Sequence, residues 1–239
     1  MTDSANGGCY RPPVCDDRRM ERTDDDDAAD YAVRRAYDTV ADAYADAFTS
    51  TEPELPVDLA MIEHFVSLLA EPRDVLDAGC GAGRMMPLLA GLGCRVQGVD
   101  LSPGMIQRAQ RDHGQFPSRV AALTDLPLPD GAVDGVLSWY STIHTPDGEL
   151  PGVLTELRRV LRPGGHILLA FQSGKGVTDV SPAYRDRGHD VTLRRHNRSA
   201  DRVAAELRTV GMEKVALLER AAASHERTAQ AVVIALRPA

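Results

Sequence analysis

The chain has 239 residues, 43% hydrophobic and 26% charged, with a net charge of −8. At ~100–200 residues per domain, that length predicts one domain with extensions, large enough to bury a core without staples. The acidic balance disfavours a phosphate-backbone partner and aromatics at 5% disfavour a base-stacking platform, so no nucleic-acid partner is expected. The basic cluster Arg194, Arg195, His196 and Arg198 reads as a solvated loop. Cys9, Cys15, Cys80 and Cys94 lack CxxC spacing, so neither a metal site nor a disulfide framework is expected, and a reducing cytoplasm fits. The polar N-terminus carries no signal pattern, and no apolar run approaches the ~20 residues of a membrane span. A cytoplasmic monomer or homodimer without a membrane partner is the expectation.

Residues 1–27 are rich in Gly, Pro, Asp and Arg without periodicity, which predicts a disordered tail ahead of a domain at 28–239. A helix is expected over 28–48, because Val33, Tyr37, Val40, Tyr44 and Phe48 form one apolar stripe. A second helix follows over 57–70, with Ile62, Phe65, Val66 and Leu69 inward. From Asp74 the pattern alternates. Strands are expected at 75–78, 95–99, 120–123, 133–139 and 166–171, and helices at 84–92, 102–113 and 150–161. Ser102 caps the middle helix and Pro103 takes its first position. Short apolar strands separated by helices build a parallel sheet covered on both faces, a doubly wound α/β fold. Residues 173–198 read as a polar loop with room for a short strand. A helix over 199–210 ends at Gly211, and strands at 215–218 and 230–236 are close enough in sequence to pair antiparallel.

The most informative segment is Val75-Leu76-Asp77-Ala78-Gly79-Cys80-Gly81-Ala82-Gly83-Arg84. It follows a strand and opens a helix, where backbone amides face a ligand and glycines allow close approach. A dinucleotide fingerprint reads GxGxxG, whereas here Gly83 comes one residue early and Arg84 stands in the third glycine's place. Asp77 would repel a pyrophosphate and suits a cationic group. The pattern points to a nucleoside cofactor bearing an amino group and a sulfonium rather than to NAD. Asp100, ending the next strand, suits two ribose hydroxyls. Asp125, after the third strand, suits an adenine amino group, with Leu126 packing on the ring or donating its amide. The strand at 133–139 delivers Trp139 and Tyr140 to the same edge, where open α/β sheets bind ligands.

Taken in order, Asp77-Ala78-Gly79-Cys80-Gly81-Ala82-Gly83, Asp100-Leu101-Ser102, Asp125-Leu126-Pro127 and Leu161-Arg162-Pro163-Gly164-Gly165 resemble the successive motifs of class I S-adenosylmethionine (SAM)-dependent methyltransferases. Tyr37-Asp38-Thr39-Val40-Ala41-Asp42-Ala43-Tyr44 is similar to the helix that lids the cofactor in small-molecule members. The resemblance covers about residues 31–237. It implies a seven-stranded, mostly parallel sheet with the last strand antiparallel, helices on both faces, and an N-terminal helical lid over 28–70. It also implies SAM as cofactor and S-adenosylhomocysteine (SAH) as product. Asp77 and Gly79 would hold the methionine part, Gly81 and Gly83 allow close approach, Asp100 holds the ribose and Leu101 packs near adenine. Asp125 and Leu126 would recognise adenine, and Trp139 and Tyr140 meet the methyl group. Tyr44, Cys80 and Met105 complete the expected cofactor contacts.

Methyl transfer needs alignment and desolvation more than elaborate acid–base machinery, though a base helps when the acceptor carries a proton. His144, after the fourth strand, is the candidate base, against the alternative of a histidine packed on a loop. Tyr37 and Tyr44, seven residues apart on one helix face, read either as core stripe or as lid residues with hydroxyls near the methyl group. His189, in the polar loop at 173–198 expected to cover the substrate, and Arg84 are weaker candidates, and His64 and His166 read as structural. The leading function is methyl transfer to O or N of a small metabolite, in a setting such as bacterial specialised metabolism. The competing readings are a non-catalytic SAM-binding partner protein and a nicotinamide-dependent oxidoreductase.

Overall fold

A computed structural model describes residues 24–239, with side chains from residue 30. The expectations for residues 1–23, Cys9 and Cys15 included, lie outside the described residues. The first helix, α1 (Asp24–Ala47), starts four residues before the expected position. Helix α2 spans Pro56–Ser67.

The Rossmann-like unit then runs β1 (Asp74–Ala78), α3 (Met86–Gly91), β2 (Arg95–Asp100), α4 (Pro103–Asp112), β3 (Ser118–Val120), β4 (Val133–Trp139), α5 (Leu150–Val160) and β5 (Leu161–Gln172). Next come β6 (Gly176–Asp179), α6 (Ser181–Arg185), β7 (Arg194–Asn197), α7 (Ala200–Thr209), β8 (Glu213–Arg220) and β9 (Gln230–Leu236). Seven strands form one sheet in the order β3-β2-β1-β4-β5-β9-β8. The first five are mutually parallel, and β9 runs antiparallel between β5 and β8. The doubly wound topology expected from the sequence is present.

Side-chain alternation along the strands splits the core in two. Leu76, Val136, Ile167, Leu169 and Val233 join α5 and α7 on one face. Val75, Leu137, Leu168, Ala170, Val232 and Ile234 join α2 and α3 on the other. Ser102 caps α4 as expected, its Oγ accepting from the Met105 amide, and Gly211 takes φ +78 after α7; Ser199 Oγ, accepting from the Arg202 amide, adds a cap on α7.

Five local expectations are corrected. β3 ends at Val120 rather than 123, because its sole partner strand, β2, ends at Asp100, opposite Val120. α3 starts at Met86 rather than Arg84: Arg84 and Met85 form a turn, and Pro87 then falls in the helix's first turn, which suits it. β5 begins at Leu161, and Arg162–Gly165 forms an irregularity: Leu161 pairs with Val133, but His166 pairs with Gly135. The span 173–198 is not a plain loop. β6 and β7 pair antiparallel around α6, and Val191 and Leu193 pack on Ala36 and Val40 of α1. Arg198 is likewise not solvated: buried, it bonds Asp147 and the carbonyls of Thr142 and Thr145, fastening β7 to the 3-10 turn Thr142–His144.

Helix α1 lies across the C-terminal edge of the sheet, clamped to α4. Asp38 Oδ1 accepts from Ser102 Oγ at 2.6 Å and from the Gly104 amide at 2.9 Å. The Arg108 guanidinium bridges Asp42, Asp46 and Asp112 at 2.8–2.9 Å. A side chain at Gly104 would meet Ala41 Cβ at 3.2 Å, so glycine there permits the close approach.

Leu157 is fully buried between α5 and the sheet, so Leu157→Ala should cost about 2–5 kcal/mol in urea denaturation. Val177, 56% exposed on β6, should tolerate Val177→Ala within about 0.5 kcal/mol.

Candidate functional site

The loop after β1 turns on its glycines. Gly79, Gly81 and Gly83 take φ +79, +54 and +87. The amides of Gly79 and Cys80 both donate to the Val99 carbonyl at 2.8 Å, folding the loop over β2. The glycines serve different ends. A Cβ on Gly79 would lie 2.2 Å from Ser141 Cβ, so the loop is pressed against the turn after β4. A Cβ on Gly81 would meet nothing within 4 Å, because Gly81 faces an open cleft. Gly83 does not line that cleft. A Cβ there would come within 2.5 Å of Met86 Cε, so this glycine serves a tight turn against α3, which corrects its expected role in cofactor approach.

The cleft at this sheet edge is lined by Tyr37, Tyr44, Asp77, Gly79, Cys80, Gly81, Asp100, Leu101, Met105, Trp139 and His144, which brings together most of the expected site residues. Asp77 is 1% exposed and its Oδ2 has no hydrogen-bond partner. Burial raises its pKa to about 7; Arg84 opposes the rise and Asp100 adds to it. Asp100 is tied by both oxygens: Oδ2 accepts from the Gly81 amide and Oδ1 from the Ser102 amide, each at 2.9 Å. Burial raises its pKa, and these amides pull it back.

Asp125 and Leu126 are not at the cleft. Because β3 ends early, the chain turns before them, with the Asp125 amide on the Ala122 carbonyl. Leu126 is buried in the core beside α5, and its amide donates to Glu156 at 2.7 Å. Leu123 and Thr124 line the cleft instead, and Thr124 Oγ1 is buried without a partner. No motif in the sequence marked them, since their place depends on where β3 stops.

Sequence reasoning also missed Glu54, from the connection between α1 and α2. Its Oε1 accepts from Trp139 Nε1 at 3.2 Å and pairs with Arg84 Nη2 at 2.7 Å. Arg84 also donates to the Ser50 carbonyl, which accounts for its charge without a substrate. His189 does not line the cleft.

At the outer end, His144 Nδ1 lies 2.6 Å from the Arg194 carbonyl and Nε2 lies 2.9 Å from Tyr37 Oη. A carbonyl only accepts, so Nδ1 carries the proton and Nε2 accepts from the tyrosine hydroxyl. Burial pushes the His144 pKa down to about 4, with His196 and Arg195 adding to the effect and the Arg194 carbonyl opposing it. The ring is neutral near neutral pH. Tyr37 is held well above the usual tyrosine range, mainly by burial.

A family model described as a methyltransferase domain matches residues 75–165. Malonyl-[acyl-carrier protein] O-methyltransferase of Serratia marcescens is 33% identical over 111 residues, which cover 46% of this chain and 43% of that protein. Demethylmenaquinone methyltransferase of Tropheryma whipplei is 35% identical over 114 residues, 47% of this chain and 46% of the relative. The chain thus spans less than half the length of these curated relatives. Residues 75–165 thus match a methyltransferase domain, in line with the class I SAM-dependent motifs they contain. Its fold is also that of the Burkholderia thailandensis 1,6-didemethyltoxoflavin-N1-methyltransferase, solved with its substrate and SAH: TM-score 0.69, 19% identity, covering 96% of this chain and 94% of that one.

The methyltransferase domain's cofactor is SAM, and the residues present fit it. A buried carboxylate with a free oxygen suits the ammonium group, the open side of Gly81 leaves room beside it, and the orphaned Thr124 hydroxyl offers a polar contact farther along the cleft. Among the described residues, no group of three or more His, Cys, Asp or Glu could hold a metal, and no helix is long and apolar enough to cross a membrane.

The two cleft glycines should respond differently to alanine. Gly79→Ala forces a clash with Ser141 and should lower the melting temperature sharply. Gly81→Ala should cost only the left-handed backbone penalty of about 1–2 kcal/mol, yet crowd the cleft and weaken SAH binding. Thermal melts with and without SAH separate the two effects.

Proposed function

We propose that this chain transfers the methyl group of SAM to an oxygen or nitrogen of a small molecule. The observation that carries the reading is the unpartnered Asp77 oxygen, buried in the cleft that Asp100 also lines. Asp77 binds the cofactor's ammonium, Asp100 its ribose hydroxyls through lone pairs left by the amides, and Leu101, Met105, Leu123 and Thr124 surround the adenine. Tyr44 and Trp139 close the walls near the reacting carbon, and Cys80 packs beneath the loop. The relatives' names, which specify a carrier-bound malonyl group and a quinone, agree with an acceptor outside protein side chains and nucleic acids.

When bound, the cofactor supplies a methyl carbon already activated by positive sulfur, so the protein's contribution is alignment, exclusion of water and removal of the acceptor's proton. Tyr37 and His144 form a relay for that proton. As the acceptor's bonding pair turns to the methyl carbon, its proton passes to Tyr37 Oη and the tyrosine proton moves to His144 Nε2. His144 would then hold the acceptor's proton at Nε2 as an imidazolium, accounting for the positive charge that the cofactor brings when bound.

Incubating the purified chain with SAM and pooled metabolites, and measuring SAH formed, tests the reading; absence of both SAH binding and SAH formation would end it. Two further outcomes are expected. Because binding the ammonium requires ionised Asp77, SAH affinity should be constant well above pH 7 and fall up to about tenfold per unit below it. Asp77→Asn should bind weakly with no such slope, as calorimetry across pH 6–8.5 would show. His144→Asn should lower kcat by about 10²–10⁴ while SAH affinity changes little, separating proton removal from cofactor binding.

A further inference from the structure

Aromatic residues make up 5% of the chain, yet Tyr37, Tyr44, Phe48, Trp139 and Tyr140 all line this cleft. Two walls supply them. Tyr37, Tyr44 and Phe48 follow one face of α1 and its end, with Tyr37 edge-on to Tyr44 (centroids 6.0 Å, 86°) and Tyr44 tilted on Phe48 at 4.8 Å. Trp139 and Tyr140 end β4, edge-on to each other at 5.5 Å and 88°. Tyr140 holds φ +57, a left-handed conformation that a bulky side chain rarely adopts, so the fold accepts backbone strain to keep that ring in place.

The polar ends of three of these rings are committed to protein partners. Trp139 Nε1 donates to Glu54, Tyr140 Oη donates to Gln230 Oε1 at 2.9 Å, and Tyr37 Oη donates to His144. What these rings leave for an acceptor is mainly apolar ring surface, with the Tyr44 hydroxyl and Tyr37 Oη, which also meets the Tyr184 hydroxyl, as the polar features on that wall. Cationic capture of a carboxylate is poorly served, because Arg84 is bonded to Glu54 and Arg34 lies 3.9 Å from Asp38. We propose that the methyl acceptor is a flat aromatic or heteroaromatic ring that stacks between these walls and donates a ring-borne O–H or N–H to Tyr37.

This rests on the methyltransferase reading and narrows it. Aromatic pairs favour stacked or edge-to-face contact, each adding to simple burial, so a flat ring gains where a puckered one of equal size does not. The relay points the same way. His144, low in basicity because it is buried, is poorly matched to an aliphatic alcohol. Ring hydroxyls, titrating near ~10 as in tyrosine, are far more acidic and need less help.

The test uses the full chain saturated with SAH. Calorimetry measures binding of 2-naphthol, its saturated counterpart decahydro-2-naphthol, and its ether 2-methoxynaphthalene, with emission of the single tryptophan, Trp139, as a second readout. Expected are at least tenfold tighter binding of 2-naphthol than of the saturated alcohol, and a loss of about tenfold for the ether. Tyr37→Phe should abolish the preference for naphthol over the ether while keeping the preference for flat rings. Equal or tighter binding of the saturated alcohol, undiminished binding of the ether, or no binding of either flat compound would overturn the inference. SAH affinity, measured first, shows whether the cofactor reading stands independently of that result.

Discussion

The structure is organised around one costly placement: a carboxylate at the end of β1, withdrawn from water and left with an unused oxygen. Asp77 sits at the end of a strand buried on both sides, flanked by β2 and β4. Burial penalises its charge, and the nearby guanidinium that could neutralise it, Arg84, is held by Glu54 instead. An unpaired buried charge is tolerated where a ligand completes it. The glycine loop follows from the same requirement, because it must cross above the strand end without filling the space beside the carboxylate.

The second acid is positioned by sheet geometry. In the parallel register of β1 and β2, Ala78 faces Val99, so the strands end together and Asp77 and Asp100 reach one cleft. The loop then uses Asp100 as an anchor through the Gly81 amide. One carboxylate shapes the loop while the other stays free, although both are aspartates ending neighbouring strands.

Helix α1 is the part that the sequence motifs describe least. α1 is held at one end by its ion pairs and cap bonds to α4, and across the cleft by Tyr37 on His144. The hairpin β6–β7 joins it, since Val191 and Leu193 complete the apolar cluster beneath α1. Arg198 ties that hairpin to the turn bearing His144, so the proposed base, its hydroxyl partner and the roof of the cleft form one connected body. Asp42 and Asp46 are largely exposed, so the ionic part of the clamp is open to screening by salt.

The amino-acid sequence by itself determined the alternation of strands and helices, the acid-headed glycine loop, and Asp100 with its Ser102 cap. These are local patterns: periodicity, capping chemistry and glycine spacing act within a few residues. Tertiary structure alone decided the end of the cleft beside β3, which stops as soon as β2 has no residue left to pair with, leaving Leu123 and Thr124 at the cleft and drawing Leu126 into the core. It also decided the Glu54–Arg84–Trp139 link and the tautomer of His144, which depend on groups 30, 85 and 50 residues apart in sequence. Contacts across such separations are set by how packed elements meet, and no short-range pattern records them.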